Sequence, residues 1–388
     1  MKKIKNICIV SGSRAEYGLL RNLIIRLKNH KLFNLKLIAT GTHLSKFHGN
    51  TYREILKDIK IHKRVKLPIR KDVSKLDVAK LTSEGIKKFS ESFKTLKPDL
   101  VIILGDRYEI FAAAFSAMNM NLAVGHIHGG ESTLGSSDDL LRHAITKMSK
   151  FHFVSTLSYK RRIIQLGENP RNVFYVGALA YEAIKKTKIF SKKDFLKKLK
   201  IKSSDIMFLI TYHPETSNKK FETIAFDGLL EVLSSFRNCT LIFTLSNADA
   251  NSGIINKRII NYVRENPSSS TFFRSMGSEL YYSSIKHCHL LIGNSSSGII
   301  EAPYFNTPSV NIGDRQKGRI CAKSVFHANN NKISVKRNIN NALKIYKREN
   351  KSIYNNPYGK IQSSKVIINI LSKIKIDPDK LNKEFYDI

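Results

Sequence analysis

Cysteine is scarce, with four in 388 residues (Cys8, Cys239, Cys288, Cys321) and no CxxC pair. That spacing argues against a disulfide framework and a zinc ribbon, and makes a reducing cytoplasm the simplest address. No apolar run approaches the ~20 residues that cross a bilayer, so no membrane partner is expected. The start MKKIKNICIVSGS is basic and then apolar, but Ile7–Val10 is too short for a signal peptide and reads as a first buried strand. Acidic residues are also few. Sixty-six Lys+Arg face 31 Asp+Glu, a formal net charge of +35. An excess of that size can serve nucleic acid. Here the basic residues are spread along the chain, with no RNP motif and no aromatic-rich basic strand, so no nucleic-acid partner is expected. Polyanionic small molecules such as nucleotides fit the charge as well. GxGxxG is missing, which removes the dinucleotide fingerprint, and so is GxxxxGK[ST], which removes a P-loop NTPase.

What remains is globular, with 42% hydrophobic and 25% charged residues. The length suggests two domains, each with its own core. Short apolar runs alternate with amphipathic stretches. Asn6–Val10, Leu35–Thr40, Leu100–Leu104, Leu122–Ile127, Phe151–Val154 and Val173–Val176 read as strands. Tyr17–Lys28, Val78–Leu96, Phe111–Met118 and Leu140–Ser149 read as helices. LVIIL is the pattern of a strand buried on both faces. The lysine-heavy stretch Lys185–Lys202 reads as a solvated helix and linker. The rhythm then restarts. Met207–Thr211, Thr240–Thr244, Leu290–Gly293 and Ser309–Ile312 are strands, and Glu222–Ser235, Leu280–Lys286 and Ile299–Tyr304 are helices; the tail from Ile339 is helical. The fold class is therefore α/β, two Rossmann-like doubly wound domains in series with a cleft between them, and ligands belong at the carboxyl ends of the strands.

The polar clusters sit at those ends. SGSRAEYG (Ser11–Gly18) follows the first strand, where helix N-terminal amides and Arg14 would suit a phosphate; a plain turn with a surface arginine is the alternative. GDRYE (Gly105–Glu109) places Asp106 as a general base or a helix N-cap. GHIHGGESTLGSSDD (Gly125–Asp139) packs histidines, glycines and carboxylates together. In extended chain His126 and His128 point the same way. HxH has no clear third ligand, so no metal is expected, and the glycines suggest close approach of a substrate. TYHPE (Thr211–Glu215) places His213 to meet a phosphate, with a purely structural histidine as the alternative. GNSSSGIIEAP (Gly293–Pro303) offers amides and hydroxyls to a diphosphate, with Glu301 placed for ribose hydroxyls or as a surface charge. NIGDRQKGR (Asn311–Arg319) adds Arg315 and Arg319.

In this order, together with GNTYREI (Gly49–Ile55) and RHAITKMS (Arg142–Ser149), the chain from Ser11 to Arg319 resembles the hydrolysing nucleotide-sugar 2-epimerases of sialic-acid-type sugar synthesis, typified by UDP-N-acetylglucosamine 2-epimerase. The resemblance implies a GT-B-like fold with an N-terminal domain over 1–180, a nucleotide-side domain over 181–365, and a helix over 366–388 packing back on the first domain. It implies catalytic roles for Asp106, Glu131, His128, Asp138 and His213. Substrate binding falls to Arg14, His43, Arg107, Asn247, Ser295, Ser296, Glu301 and Arg315. No cofactor is implied. A cytoplasmic homo-oligomer, dimer or tetramer, is expected. HIHGGE departs from the family's HIEGGE at His128, on the sugar side, which leaves the sugar and the base open: UDP-N-acetylglucosamine, or a UDP- or GDP-linked diacetamido-trideoxy sugar. The alternative activity is a GT-B glycosyltransferase using a nucleotide sugar, against which the GDRYE and GGE pairing argues.

Overall fold

The computed structural model describes residues 4–69, 74–134, 138–201, 205–214, 219–246, 252–346, 351–359, 361–376 and 383–388. Two compact units are present. The first takes residues 1–131, 137–183 and 358–388, and the second 132–136 and 184–357.

The first unit runs β1 (Lys5–Ser11), α1 (Arg14–Lys28), β2 (Phe33–Thr40), α2 (Tyr52–Ile55), β3 (Lys63–Val65), α3 (Lys75–Leu96), β4 (Leu100–Leu104), α4 (Tyr108–Asn119), β5 (Ala123–Ile127), α5 (Asp138–Met148), β6 (Phe151–Val154), α6 (Leu157–Gln165), β7 (Val173–Tyr175) and α7 (Leu179–Lys186). Its sheet is parallel in the order β3-β2-β1-β4-β5-β6-β7. Alternation along β1 and β4 sorts the core. Ile7, Ile9, Leu100 and Ile102 meet Leu20, Leu23 and Leu27 of α1. Cys8, Val10, Val101 and Ile103 meet Phe89 and Phe93 of α3 and Ile110 and Ala113 of α4. Local signals set the helix ends. Ser13 caps α1 through the Glu16 amide at 3.3 Å. Ser74 and Asp77 form a capping box on α3, and Lys97, in the left-handed region, ends it.

The second unit runs α8 (Lys192–Leu199), β8 (Ile206–Thr211), α9 (Lys219–Ser234), β9 (Cys239–Thr244), α10 (Ser252–Glu265), β10 (Ser270–Phe273), α11 (Gly277–His287), β11 (Leu290–Gly293), α12 (Ser297–Ile300), β12 (Ser309–Ile312), β13 (Val325–Ala328) and α13 (Lys332–Tyr346). Its sheet is also parallel, in the order β10-β9-β8-β11-β12-β13. Phe208 and Ile210 face Phe226, Leu229 and Ile339. Met207 and Leu209 face Phe195, Leu199 and Ile285. The lysine-rich stretch is therefore more than a solvated linker, because α8 buries Phe195 and Leu199 and turns its charges outward. The last helix, α14 (Ser363–Lys373), returns to the first unit, where Ile367 and Leu371 join the core beside α1.

Candidate active site

In the first unit the polar turns gather where β1, β4 and β5 end side by side. Gly105, at φ 87, breaks β4, and Arg107 rather than Asp106 is the N-cap residue of α4. Asp106 instead accepts from Nη2 of Arg142. Arg142 is 2% exposed, and its Nη1 donates to Asp139 Oδ1 at 2.9 Å and to the Glu131 carbonyl at 3.1 Å. One buried guanidinium thus holds the β4 turn, the β5 loop and the start of α5 together. Sequence reasoning gave neither Arg142 nor Asp139 a role. The available signal was the Asp139-x-x-Arg142 spacing, which places both side chains on one helix face. Asp138 opens α5, and its charge reaches Tyr108.

The two histidines of HIHGGE do not share a face. His126 lies in β5, fully buried. Its Nε2 donates to the Gly105 carbonyl at 2.8 Å, and burial pushes it down to about 3, so it is neutral. His128 has left the extended conformation, at φ 63. Its Nε2 accepts from the Leu179 amide at 3.3 Å, which leaves the ring proton on Nδ1, 3.6 Å from Glu131 Oε1. Glu131 is buried and also accepts from Ser155 Oγ at 2.9 Å. Packing by itself requires these glycines. A Cβ on Gly129 would lie 2.8 Å from His126 Nδ1, and one on Gly130, at φ 74, 2.8 Å from the Tyr159 carbonyl. Arg14 is the first residue of α1 and grips Glu54 of α2 with Nε at 3.0 Å and Nη2 at 2.8 Å. His43 is enclosed, with Nε2 3.0 Å from Ser11 Oγ and Nδ1 2.8 Å from Thr51 Oγ1; burial pushes it down to about 4. Arg107 directs Nε to Glu109 at 2.9 Å.

In the second unit β8, β11 and β12 are neighbours, and their end turns meet on Asn294. Its Oδ1 accepts from the His213 amide and its Nδ2 donates to the His213 carbonyl, both at 2.7 Å. Its backbone carbonyl accepts from Arg315 Nη1 at 3.3 Å and Gln316 Nε2 at 3.0 Å. Gly293 makes this possible: at φ 141 a Cβ would lie 2.0 Å from the Thr211 carbonyl. Ser295 Oγ accepts from Ser297 Oγ at 3.0 Å, and Tyr281 OH lies 2.5 Å from Ser297 Oγ. Ser296 is the N-cap residue of α12 and Glu301 its C-cap residue. Burial pushes Glu301 up to about 7, and Tyr282 OH donates to it at 3.3 Å. The turns thus bring His213 and Arg315 together on Asn294, which Ser295 and Ser296 follow in the chain, while Glu301 meets Tyr282. Asn247 lies outside the described residues, as does Glu215. Among the described residues no group of three or more His, Cys, Asp or Glu could hold a metal ion.

A family model described as UDP-N-acetylglucosamine 2-epimerase matches residues 25–372. The chain belongs to this family. Within it the chain is similar to the GDP/UDP-N,N'-diacetylbacillosamine 2-epimerase (hydrolyzing) of Campylobacter jejuni, 45% identical over 85% of each chain. It is also similar to polysialic acid biosynthesis protein P7 of Escherichia coli, 37% identical over 99% of this chain and 98% of that one. The crystal structure of UDP-GlcNAc 2-epimerase from Neisseria meningitidis bound to UDP-GlcNAc has the same GT-B-like fold of two Rossmann-like domains. Its TM-score is 0.80 over 95% of this chain and 100% of that one, at 19% identity. Seen as a family member, the chain carries its buried cations and carboxylates in the first unit and its amide- and hydroxyl-rich turns in the second.

Proposed function

We propose that this protein is a hydrolysing 2-epimerase of a 2-acetamido nucleotide sugar. The observation that carries the reading is the buried Arg142 holding Asp106 and Asp139 beside Glu131. Residues of the second unit hold the nucleotide, His213, Ser295, Ser296 and Arg315 the diphosphate and Glu301 the ribose; Arg14 of the first unit is a further substrate-binding cation. A base removes the C2 proton, the C1–O bond breaks, and its electron pair leaves with the nucleoside diphosphate. Water then adds at C1 of the resulting glycal, and a proton returns to C2 on the opposite face. Asp106, Glu131 and Asp138 are the proton carriers, with Asp139 joining them. His128 steers Glu131 rather than acting as base, because protonating Nε2 would set it against the Leu179 amide.

The sugar is a UDP- or GDP-linked 2,4-diacetamido-2,4,6-trideoxyhexose, which the 45% identity to the Campylobacter jejuni enzyme supports over UDP-N-acetylglucosamine. A test presents each of these nucleotide sugars separately and measures nucleoside diphosphate release and free sugar. Turnover of the diacetamido sugar with little of UDP-N-acetylglucosamine supports the assignment, and the reverse preference overturns it. A cytoplasmic homo-oligomer, dimer or tetramer, without nucleic-acid binding completes the reading. No helix among the described residues is long and apolar enough to cross a membrane. Sedimentation with and without RNA checks assembly and binding together.

A further inference from the structure

Two carboxylates that this mechanism does not use meet over Gly12. Glu109, the second residue of α4, is 0% exposed. Its Oε1 accepts from Arg107 Nε at 2.9 Å, and its Oε2 is buried without a hydrogen-bond partner among the described residues. Glu16, in the first turn of α1, accepts from the Gly12 amide at 2.8 Å and from Ser13 Oγ at 3.2 Å. A Cβ built on Gly12 would lie 2.9 Å from Glu109 Oε1 and 3.3 Å from Glu16 Oε2. One on Gly41 would lie 2.5 Å from the Gly12 carbonyl and 2.9 Å from Glu109 Oε1. The pair therefore sits where β1, β2 and β4 end, under the turn that carries Arg14 and the turn that carries Asp106.

Two ionised carboxylates on either side of Gly12 repel, and one proton on the pair relieves that repulsion. We infer that Glu16 and Glu109 are a proton-sharing pair of positioning residues that ties the Arg14 turn to the Asp106 turn. Burial, and then the Glu109 carboxylate, push Glu16 up to about 8, against the Gly12 amide, Arg107 and Ser13. The groups facing the pair are Arg107 from the α4 turn, His43 beside Gly12 after β2, and Arg14 with its partner Glu54 on the α1 side. His43 is neutral at these pH values, so Arg107 is the cation in contact with the pair. With one proton in place the pair carries a single charge balanced by Arg107. Once that proton leaves, two charges lie under the turns and pull Arg107 and the Gly12 amide toward them.

The kinetic half of the inference rests on the epimerase reading, and the spectroscopic half does not. Carboxyl-region infrared difference spectra between about pH 6 and about pH 9 would be recorded for wild type, E16Q and E109Q, beside pH profiles of kcat and KM. With the Glu301 band removed by E301Q in every spectrum, since burial pushes that carboxyl up to about 7, the otherwise wild-type chain should show a further protonated-carboxyl band lost on the alkaline side. E16Q should lack it, and E109Q should move its midpoint down by about one unit or more. E16Q should keep kcat near wild type at neutral pH and lose the alkaline fall. A spectrum of the otherwise wild-type chain without that band, or a band unchanged in both variants, overturns the shared proton. A band that behaves as expected beside an unaltered pH profile in E16Q overturns the positioning role. If wild type turns over none of the nucleotide sugars, the epimerase reading fails, and the infrared result still decides the pair.

Discussion

The two units end their strands in different chemistry. In the first, the turns after β4 and β5 and the start of α5 are joined by a guanidinium and carboxylates, with Arg142 buried among Asp106, Asp139 and the Glu131 carbonyl. In the second, the turns after β8, β11 and β12 are joined by the neutral amide of Asn294, with hydroxyls from Ser295 and Ser297 alongside. Buried charge is costly to keep and sensitive to protonation, which suits groups that move protons. Neutral dipoles and amides arranged in advance suit an anion that must bind and depart.

Breaking the charged side should do the most damage. Arg142→Ala leaves Asp106 and Asp139 without their shared cation. Thermal or denaturant melting should register a loss of about 3–5 kcal/mol, and turnover should disappear. Wild-type stability would separate Arg142 from the centre of this site. Asp106→Asn keeps the shape and removes a proposed proton carrier. It should lower kcat by about 10²–10⁴-fold while nucleotide affinity, read by calorimetry, stays close to wild type. Near-normal turnover removes Asp106 from the mechanism. Breaking the neutral side should divide the kinetics the other way. Asn294→Ala gives up both side-chain hydrogen bonds to the His213 backbone, each worth ~1 kcal/mol. KM and nucleotide affinity should weaken by about tenfold or more, with kcat changed less. A fall confined to kcat would erase the contrast between the units.

Two smaller effects concern pH. A Glu16 carboxyl raised from 4.5 to about 8 keeps its proton in the folded chain after the unfolded chain has released it. Stability should therefore fall as pH rises from about 4.5 to about 8 and level off above, and E16Q should flatten that slope. Parallel melting curves for the two proteins would count against the shared proton. Beside β6, burial alone would raise Glu168, but His152, Lys147 and Lys383 pull it down to about 2. That stability is present above the ordinary carboxylate range and is lost as pH falls toward about 2. Lys383 donates to both Glu168 oxygens, at 2.8 and 2.7 Å. Lys383→Ala should cost about 1.5–3 kcal/mol near neutral pH, less in acid. Equal losses at both pH values would show that Lys383 acts through packing instead.

Much of the fold can be read from the sequence because buried parallel strands announce themselves. Leu100–Leu104, Phe151–Val154, Leu290–Gly293 and Ser309–Ile312 have the bounds that their apolar runs predict. Edge strands do not: Lys63–Val65 and Ser270–Phe273 are half-covered and mixed in composition and lack that signal, as do Val325–Ala328 and the polar helices Leu157–Gln165 and Ser252–Glu265. The site divides in the same way. Strand-end clusters mark Asp106, Glu131, His213 and Ser295. Residues that act by joining turns distant in sequence are harder to read: Asn294 meets His213 81 residues away, and the Asp139-x-x-Arg142 spacing says nothing of Asp106, 36 residues away. The alternation of His126 and His128 misleads because the strand ends at Ile127 and His128 turns left-handed. That Gly129 and Gly130 also make room for His126 and the Tyr159 carbonyl is not legible in the sequence, because those neighbours are set by the fold.

The most direct test of the contrast is a proton NMR time course in D2O with a UDP-linked 2,4-diacetamido-2,4,6-trideoxyhexose, run on wild type, Asp106→Asn and Asn294→Ala. Wild type should release UDP and free manno-configured sugar carrying deuterium at C2. Asn294→Ala should form the same deuterated product at raised substrate concentration, and Asp106→Asn should bind the nucleotide sugar and form none. Free sugar that retains the original C2 proton, or product from Asp106→Asn at the wild-type rate, would contradict the assignment of proton transfer to the first unit.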